Sequence, residues 1–173
     1  MKEYEIIFES ENIIFIKPNK YLIEEYLKMV NEPDVSKYIS LKERTFTYED
    51  ELLWLEKKEK NKSIIFSMLE KETNEFIGNV EVFDITNNVA EIAICITLEK
   101  QGKHYGEEAL KRFMKYCLET RKLDNVELSV YSHNHKAINL YKKLGLVEYD
   151  RKENVGFYDN EQIDDIYMKL IKK

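Results

Sequence analysis

The apolar positions of this chain change period several times, and each change marks an element. Residues 12 to 17 read Asn-Ile-Ile-Phe-Ile-Lys and are closed by Pro18-Asn19, the pattern of a short strand. Tyr21, Leu22, Tyr26, Met29 and Val30 then recur at helical spacing up to Asn31-Glu32-Pro33. Thr47-Tyr48-Glu49-Asp50 has the form of a capping box. Leu52, Leu53 and Leu55 after it predict an amphipathic helix running to Lys60.

Three strands follow as a meander. Ser63 to Leu69 ends at Lys71-Glu72-Thr73-Asn74, Phe76 to Phe83 ends at Thr86-Asn87-Asn88, and Val89 to Thr97 is the third. Both breaks carry Asn, which tolerates left-handed backbone. After Gly106, the residues Ala109, Leu110, Phe113, Met114, Cys117 and Leu118 share a helical face that stops near Thr120-Arg121. Val126 to Tyr131 is another strand. Ala137, Ile138, Leu140, Tyr141 and Leu144 form the next helical face, which Gly145 ends in the C-cap position. Leu146 to Tyr149 and Ile163 to Leu170 predict a terminal hairpin around a loop from Asn154 to Asn160.

A helix between the third meander strand and Val126 requires a parallel crossover. The predicted class is therefore α/β (α+β), with one mixed, mostly antiparallel sheet flanked by helices, in a single domain over residues 1–173.

Composition narrows the function classes. The chain is 43% hydrophobic and 35% charged, as expected of a soluble globular protein. No apolar run approaches the roughly 20 residues of a membrane span. The start Met-Lys-Glu-Tyr-Glu has no signal-peptide stretch, so a cytoplasmic address without a membrane partner is expected. Cys95 and Cys117 sit inside apolar patterns and read as buried thiols. The net charge of −6 argues against a broad nucleic-acid surface and leans toward a positively charged substrate, such as an amine. His133 and His135, with His104, lack a further ligand at fixed spacing, so no metal site is expected. Lys57-Lys58-Glu59-Lys60 reads as a solvated helix face.

The candidate chemistry begins where Ile94-Cys95-Ile96-Thr97-Leu98 runs into Glu99-Lys100-Gln101-Gly102-Lys103-His104-Tyr105-Gly106-Glu107. A strand that delivers a glycine-bearing turn into a helix presents free backbone N–H groups and the positive end of the helix dipole. Both suit a pyrophosphate. Gly102 and Gly106 permit close approach, and Lys103 adds a cation. Taken alone, two glycines before a helix also serve as turn and packing residues, and neither the Walker nor the Rossmann spacing is present. A second constellation stands apart from the first. Asn134 lies at the start of the later helix, and Tyr141 lies about two turns on along the same side. Taken singly, the Asn is equally a helix cap and the Tyr a core residue.

Together, the Gln101–Gly106 loop and the pattern Asn-x-x-Ala-x-x-x-Tyr-x-x-x-Gly from Asn134 to Gly145 resemble the GNAT superfamily of N-acetyltransferases. The resemblance extends from Ile13 to Leu170. It is strongest to the branch holding ribosomal-protein-alanine and spermidine acetyltransferases, on Asn31-Glu32-Pro33-Asp34-Val35, Phe76-Ile77-Gly78, Ala90-Glu91-Ile92 and Asp165-Ile166-Tyr167-Met168-Lys169-Leu170. It implies a GNAT fold whose strand at Ile94, Cys95 and Ile96 splays from its neighbour and offers backbone groups to a pantetheine arm. By the same resemblance Gln101, Gly102, Lys103, His104, Tyr105, Gly106 and Glu107 hold the pyrophosphate of acetyl-CoA. Asn134 hydrogen-bonds the cofactor, and Tyr141 faces its sulfur as general acid. Backbone N–H groups near the splay polarise the thioester carbonyl.

Glu91, just before the cofactor-facing segment, is the first candidate for the general base, with a solvated or salt-bridged strand glutamate as the alternative. The base that some relatives carry five residues before the helix-starting asparagine is replaced here by Ser129, and Glu127 lies further off. Trp54 reads as either core or acceptor wall. Two positions depart from the pattern. His104 stands where a glycine is usual, and Tyr38 to Thr47 lacks the paired acidic residues of a polyamine site. The implied activity is acetyl transfer from acetyl-CoA to a primary amine, on a small molecule or a protein N-terminus, with a homodimer as the analogy offered. The alternative is a catalytically degenerate acyl-CoA-binding or interaction module of the same fold.

Overall fold

The computed structural model describes residues 3–171. One eight-stranded sheet organises them, in the order β1-β2-β3-β4-β5-β6-β8-β7. The strands are β1 (Ile6–Glu9), β2 (Ile13–Ile16), β3 (Ile65–Glu70), β4 (Phe76–Thr86), β5 (Val89–Ile96), β6 (Asn125–Tyr131), β7 (Leu146–Tyr158) and β8 (Glu161–Leu170). Every neighbouring pair is antiparallel except β5 and β6. That exception follows from the crossover through α4 (Tyr105–Lys115), as a helical connection requires.

The sheet is covered on both faces, which explains why β2 reads as an unbroken apolar run. Ile13 and Phe15 pack into a core with Ala109, Leu110 and Phe113 of α4 and with Tyr141 of α5 (His135–Lys143). Ile14 and Ile16 point the other way, toward Ile23, Tyr26 and Met29 of α1 (Ile23–Asn31) and Leu55 of α3 (Tyr48–Lys60). The predicted capping box is present at α3. Thr47 Oγ1 accepts from the Asp50 N–H at 3.2 Å, and the Asp50 carboxylate accepts from the Thr47 N–H at 2.8 Å. Such a cap contributes about 1 kcal/mol. The asparagines expected at the meander breaks adopt positive φ: Asn74 at 60°, Asn87 at 50° and Asn88 at 60°.

The observed elements differ from expectation in four places. β1 precedes the first expected strand; it is a short edge strand and carries no long apolar alternation. α2 (Pro33–Ser36) is an additional single turn started by Pro33, where proline's fixed φ suits the first helical position. Leu53 is 63% exposed, because the buried side chains of α3 are Glu51 and Leu55. The expected terminal loop is mostly strand: β7 continues to Tyr158, and the turn is only Asp159-Asn160, at φ 49° and 63°. β7 is exposed along most of its length, so its polar residues hid a strand that pairing with β8 holds in place.

One feature of the sheet prepares the site. β5 and β6 share only the pairs Val89↔Asn125, Ala90↔Val126 and Glu91↔Glu127. Beyond Glu91, β5 stays with β4 as far as Gly78↔Ile96, while β6 stays with β8. The two parallel strands therefore part and leave a wedge. Among the described residues no helix is long and apolar enough to cross a membrane.

Candidate active site

The wedge opens into a cleft of about 780 Å³. Ala93 to Ile96 form one wall and Leu128 to Tyr131 the other. The start of α4 and the inner side of α5 close one end; α1, α3 and the segment carrying Tyr38 and Phe46 close the opposite end.

At the α4 end the backbone is the principal reagent. The Gln101 side-chain amide donates to the Ile96 carbonyl at 3.0 Å and fixes the loop to the end of β5. Gly102 has φ +71° with open space where a Cβ would stand, so its requirement is conformational. His104 also lies in the left-handed region, at φ 67° and ψ 5°, and heads α4 without a side-chain cap. Such a conformation costs a non-glycine residue roughly 1–2 kcal/mol, which accounts for glycine being usual there. Among the described residues, no acceptor meets the backbone N–H groups of residues 102–107. These donors and the helix dipole together form a cradle for an anion. Gly106 serves packing: a Cβ there would lie 3.3 Å from Leu140 Cδ2 and 3.6 Å from Ile96 Cδ1, so its absence lets α4, α5 and β5 converge.

The side chains of this loop divide by direction. Gln101, Gly102, His104, Gly106 and Glu107 line the cleft; Lys103 and Tyr105 do not. Lys103 is exposed. The Tyr105 hydroxyl instead donates to Glu70 at the end of β3. Glu70 also accepts from Thr73 at 2.5 Å and from Lys100 at 3.1 Å, while Lys100 reaches Glu75 at 2.5 Å. Thr73, Tyr105 and Lys100 hold the Glu70 carboxyl down at about 2. Tyr105 thus ties the loop to the β3–β4 turn. Glu107 pairs with Lys143 at 2.7 Å and Lys111 at 2.9 Å, which likewise hold it at about 2.

Asn134 and Tyr141 come to the same cleft from α5. The Asn134 side-chain carbonyl accepts from the Ala137 N–H at 3.3 Å as the helix cap, and its NH₂ group has no partner among the described residues. Capping and ligand binding are therefore compatible in one side chain. Tyr141 is 8% exposed, and its hydroxyl makes no hydrogen bond to a described residue. The ring is buried, while the hydroxyl oxygen is left open to the cleft. Burial, followed by the nearby Cys95, pushes Tyr141 up to about 12, so it stays protonated. Cys95 lies on the β5 wall, and its thiol is also pushed up to about 12, chiefly by burial.

Glu91 sits on the last shared rung, opposite Glu127, and does not line the cleft. Burial raises its carboxyl above the ordinary range, helped by Glu127, Asp84 and Asp165. Of these neighbours, Asp165 lines the cleft. Ser129 lines it too, with a hydroxyl and no base. Trp54 packs edge-on against Tyr26 at 5.4 Å and lines the cleft, so it is core and wall at once.

Sequence reasoning missed Glu51, Glu81 and Asp165, which line the cleft from α3, β4 and β8. Acidic residues are ordinary in a helix's first turn, and alternation in a strand does not distinguish a cleft from solvent, so no local pattern flagged them. Among the described residues, no group of three or more His, Cys, Asp or Glu side chains is arranged to hold a metal ion. His133 instead meets the Lys37 carbonyl at 2.8 Å and stacks on Tyr158.

Known proteins share this fold. A family model described as the acetyltransferase (GNAT) domain matches residues 12–147. The acetyltransferase PseH of Campylobacter jejuni is 24% identical over 144 residues, covering 83% of this chain and 87% of its own. Among solved structures, a GNAT-family acetyltransferase from Bacillus anthracis has a TM-score of 0.81 at 20% identity, covering 94% of this chain and 96% of that one. A spermidine N-acetyltransferase from Vibrio cholerae, in complex with CoA and spermine, has a TM-score of 0.80 at 22% identity, covering 92% and 95%.

Proposed function

Because this chain belongs to the acetyltransferase (GNAT) family, we propose that the cleft transfers an acetyl group from acetyl-CoA to a primary amine by direct attack. The observation that supports this reading most is Tyr141, a buried, protonated tyrosine whose unpartnered hydroxyl faces the wedge between β5 and β6.

The residues present fit acetyl-CoA in chemical kind. The unpaired N–H groups of residues 102–107 suit its pyrophosphate, and the exposed edge of β5 from Ile92 to Ile96 suits the amide groups of its pantetheine. Bound there, acetyl-CoA supplies the thioester. Asn134 donates its free NH₂ to the arm and holds it beside α5. Backbone N–H groups of β5 at the splay stabilise charge that develops on the thioester oxygen. Tyr141 gives its proton to the departing sulfur and is suited to this because its proton is retained at neutral pH.

The amine must lose a proton to attack. Glu91 is proposed as a base one step removed, taking that proton through water or through Asp165, whose charge it feels and which lines the cleft. A carboxyl raised by burial is a better proton acceptor than an exposed one.

The test is thiol release from acetyl-CoA over a broad panel of amines, polyamines included in view of the Vibrio cholerae relative. Turnover on at least one amine is expected. Tight binding of acetyl-CoA with no turnover on any of them would favour the degenerate binding module instead.

A further inference from the structure

The acceptor end of the cleft holds one charge that the rest of the protein leaves unanswered. Glu51, in the first turn of α3, is 5% exposed and lines the cleft. Among the described carboxylates that line it, the others have partners. Glu107 pairs with two lysines, Glu81 with Lys58 at 2.5 Å, and Asp165 hydrogen-bonds Tyr167. The Glu51 carboxylate makes neither a hydrogen bond nor an ion pair to a described residue, and the charged or titratable groups it feels among them are Asp50 and Tyr26. Neither supplies a positive charge. The Glu51 oxygens are not sealed from the cleft, so a cationic ligand group placed there gains a charge-assisted partner that the described residues do not provide.

The surroundings limit the rest of that ligand. Met29, Val35, Tyr38, Phe46 and Trp54 wall this end, and they are aliphatic or aromatic. A polyamine needs carboxylates spaced along its length, whereas here a single unpaired one is set among apolar surface. Resting on the acetyltransferase reading above, we propose that Glu51 draws in the acceptor's amine as its ammonium form, that the amine then releases its proton along the water or Asp165 route to Glu91 before attack, and that the acceptor is a small amphipathic monoamine with an apolar or aromatic body.

The test uses the full chain and two readouts. Thiol release is measured for 2-phenylethylamine, hexylamine and spermidine with wild type and Glu51→Gln, and binding of 2-phenylethylamine to both is measured separately by calorimetry. The apolar monoamines are expected to exceed spermidine in kcat/KM. Glu51→Gln is expected to raise the amine KM, and to weaken calorimetric binding, by about 10- to 100-fold, the worth of one charge-assisted hydrogen bond. Affinity for acetyl-CoA should stay unchanged, which a merely misfolded variant would not allow. Glu51→Asp should recover part of the loss.

A preference for spermidine, or an unchanged amine KM in Glu51→Gln, overturns the proposal while leaving the transferase reading intact. Glu51-dependent binding without turnover on any amine does the reverse. It supports the anchor and removes the transferase.

Discussion

Glu107 and Glu51 line the same cleft at opposite ends, and their surroundings could hardly differ more. Glu107 lies between Lys143 and Lys111 and is held at about 2, whereas burial raises Glu51 above the ordinary carboxylate range. The contrast extends to the two halves of the cleft. The half at α4 presents backbone: unpaired N–H groups, a splayed strand edge and a glycine-bearing loop. The half at α1 and α3 presents side chains brought from distant parts of the chain. A backbone site can serve one invariant cosubstrate across many sequences. A side-chain site can be rewritten for each acceptor.

Tyr141 is the one side-chain group proposed for chemistry in the backbone half, and its removal is expected to have the largest effect. Tyr141→Phe should lower kcat by about 10²- to 10⁴-fold, the range of general acid catalysis. Binding of acetyl-CoA, followed by calorimetry, should stay nearly intact. An unchanged rate would remove Tyr141 from its role and leave the half wholly backbone in character. Because burial raises Tyr141 to about 12, the wild-type rate should show no loss from its ionisation up to about pH 10.

The next effect is structural. A Cβ on Gly78 would stand 2.0 Å from the Cys95 carbonyl oxygen, so Gly78→Ala forces β4 and β5 apart at the open end of the wedge, beside Ile96. A loss of about 3 kcal/mol in unfolding free energy is expected, at the upper end for single substitutions. Denaturant melts would measure it. A loss below about 1 kcal/mol would show that β5 yields more easily than its pairing suggests.

These two predictions rest on parts of the molecule that were readable to different degrees. The loop, the Asn134 cap and Tyr141 stood out in the sequence because each depends on local chain geometry: a turn, a helix start, and a spacing of two turns. The splay was implied by resemblance and is visible in the three shared rungs of β5 and β6. Tyr105 shows the limit of that reading. It sits inside the phosphate-loop pattern, yet its side chain turns away to Glu70. Glu51 and Asp165 were illegible for another reason. What makes Glu51 distinctive is the absence of a partner across the cleft, a property that no window of neighbouring residues encodes. β7 extends beyond its predicted end because an exposed strand held by pairing alone carries few apolar residues.

A smaller effect sharpens the contrast through pH. Glu70 is depressed to about 2 by Thr73, Tyr105 and Lys100, so the stability it contributes is present above the unfolded value near 4.5 and lost as pH falls toward 2. Glu51 has the opposite sign. Its raised carboxyl favours the folded state at low pH, and that contribution is lost as pH rises through its folded value. Glu70→Gln should therefore flatten the acid limb of the stability curve between about pH 4.5 and 2, and Glu51→Gln should leave the melting temperature at pH 7 at or above wild type. A fall at pH 7 in Glu51→Gln would mean that the carboxylate has a partner in solution.

The smallest effect concerns His104, the residue at which the Gln101–Gly106 loop departs from the family pattern. His104 holds φ 67° without a side-chain cap to offset the strain, and it stands at the cleft where the loop turns into α4. His104→Gly removes the left-handed penalty from the folded state but increases the freedom of the unfolded chain, and the two effects oppose each other. The first is roughly 1–2 kcal/mol and the second about 0.4–1 kcal/mol, so a net gain of about 0.5–1 kcal/mol is expected. Its bearing on the cofactor is separable. If the imidazole contacts phosphate, His104→Gly weakens acetyl-CoA binding. If it points to solvent, binding is unchanged or tighter. The unpaired backbone donors of residues 102–107 favour the second outcome, since they satisfy an anion without help from the ring. Calorimetry of acetyl-CoA binding to both proteins distinguishes the two.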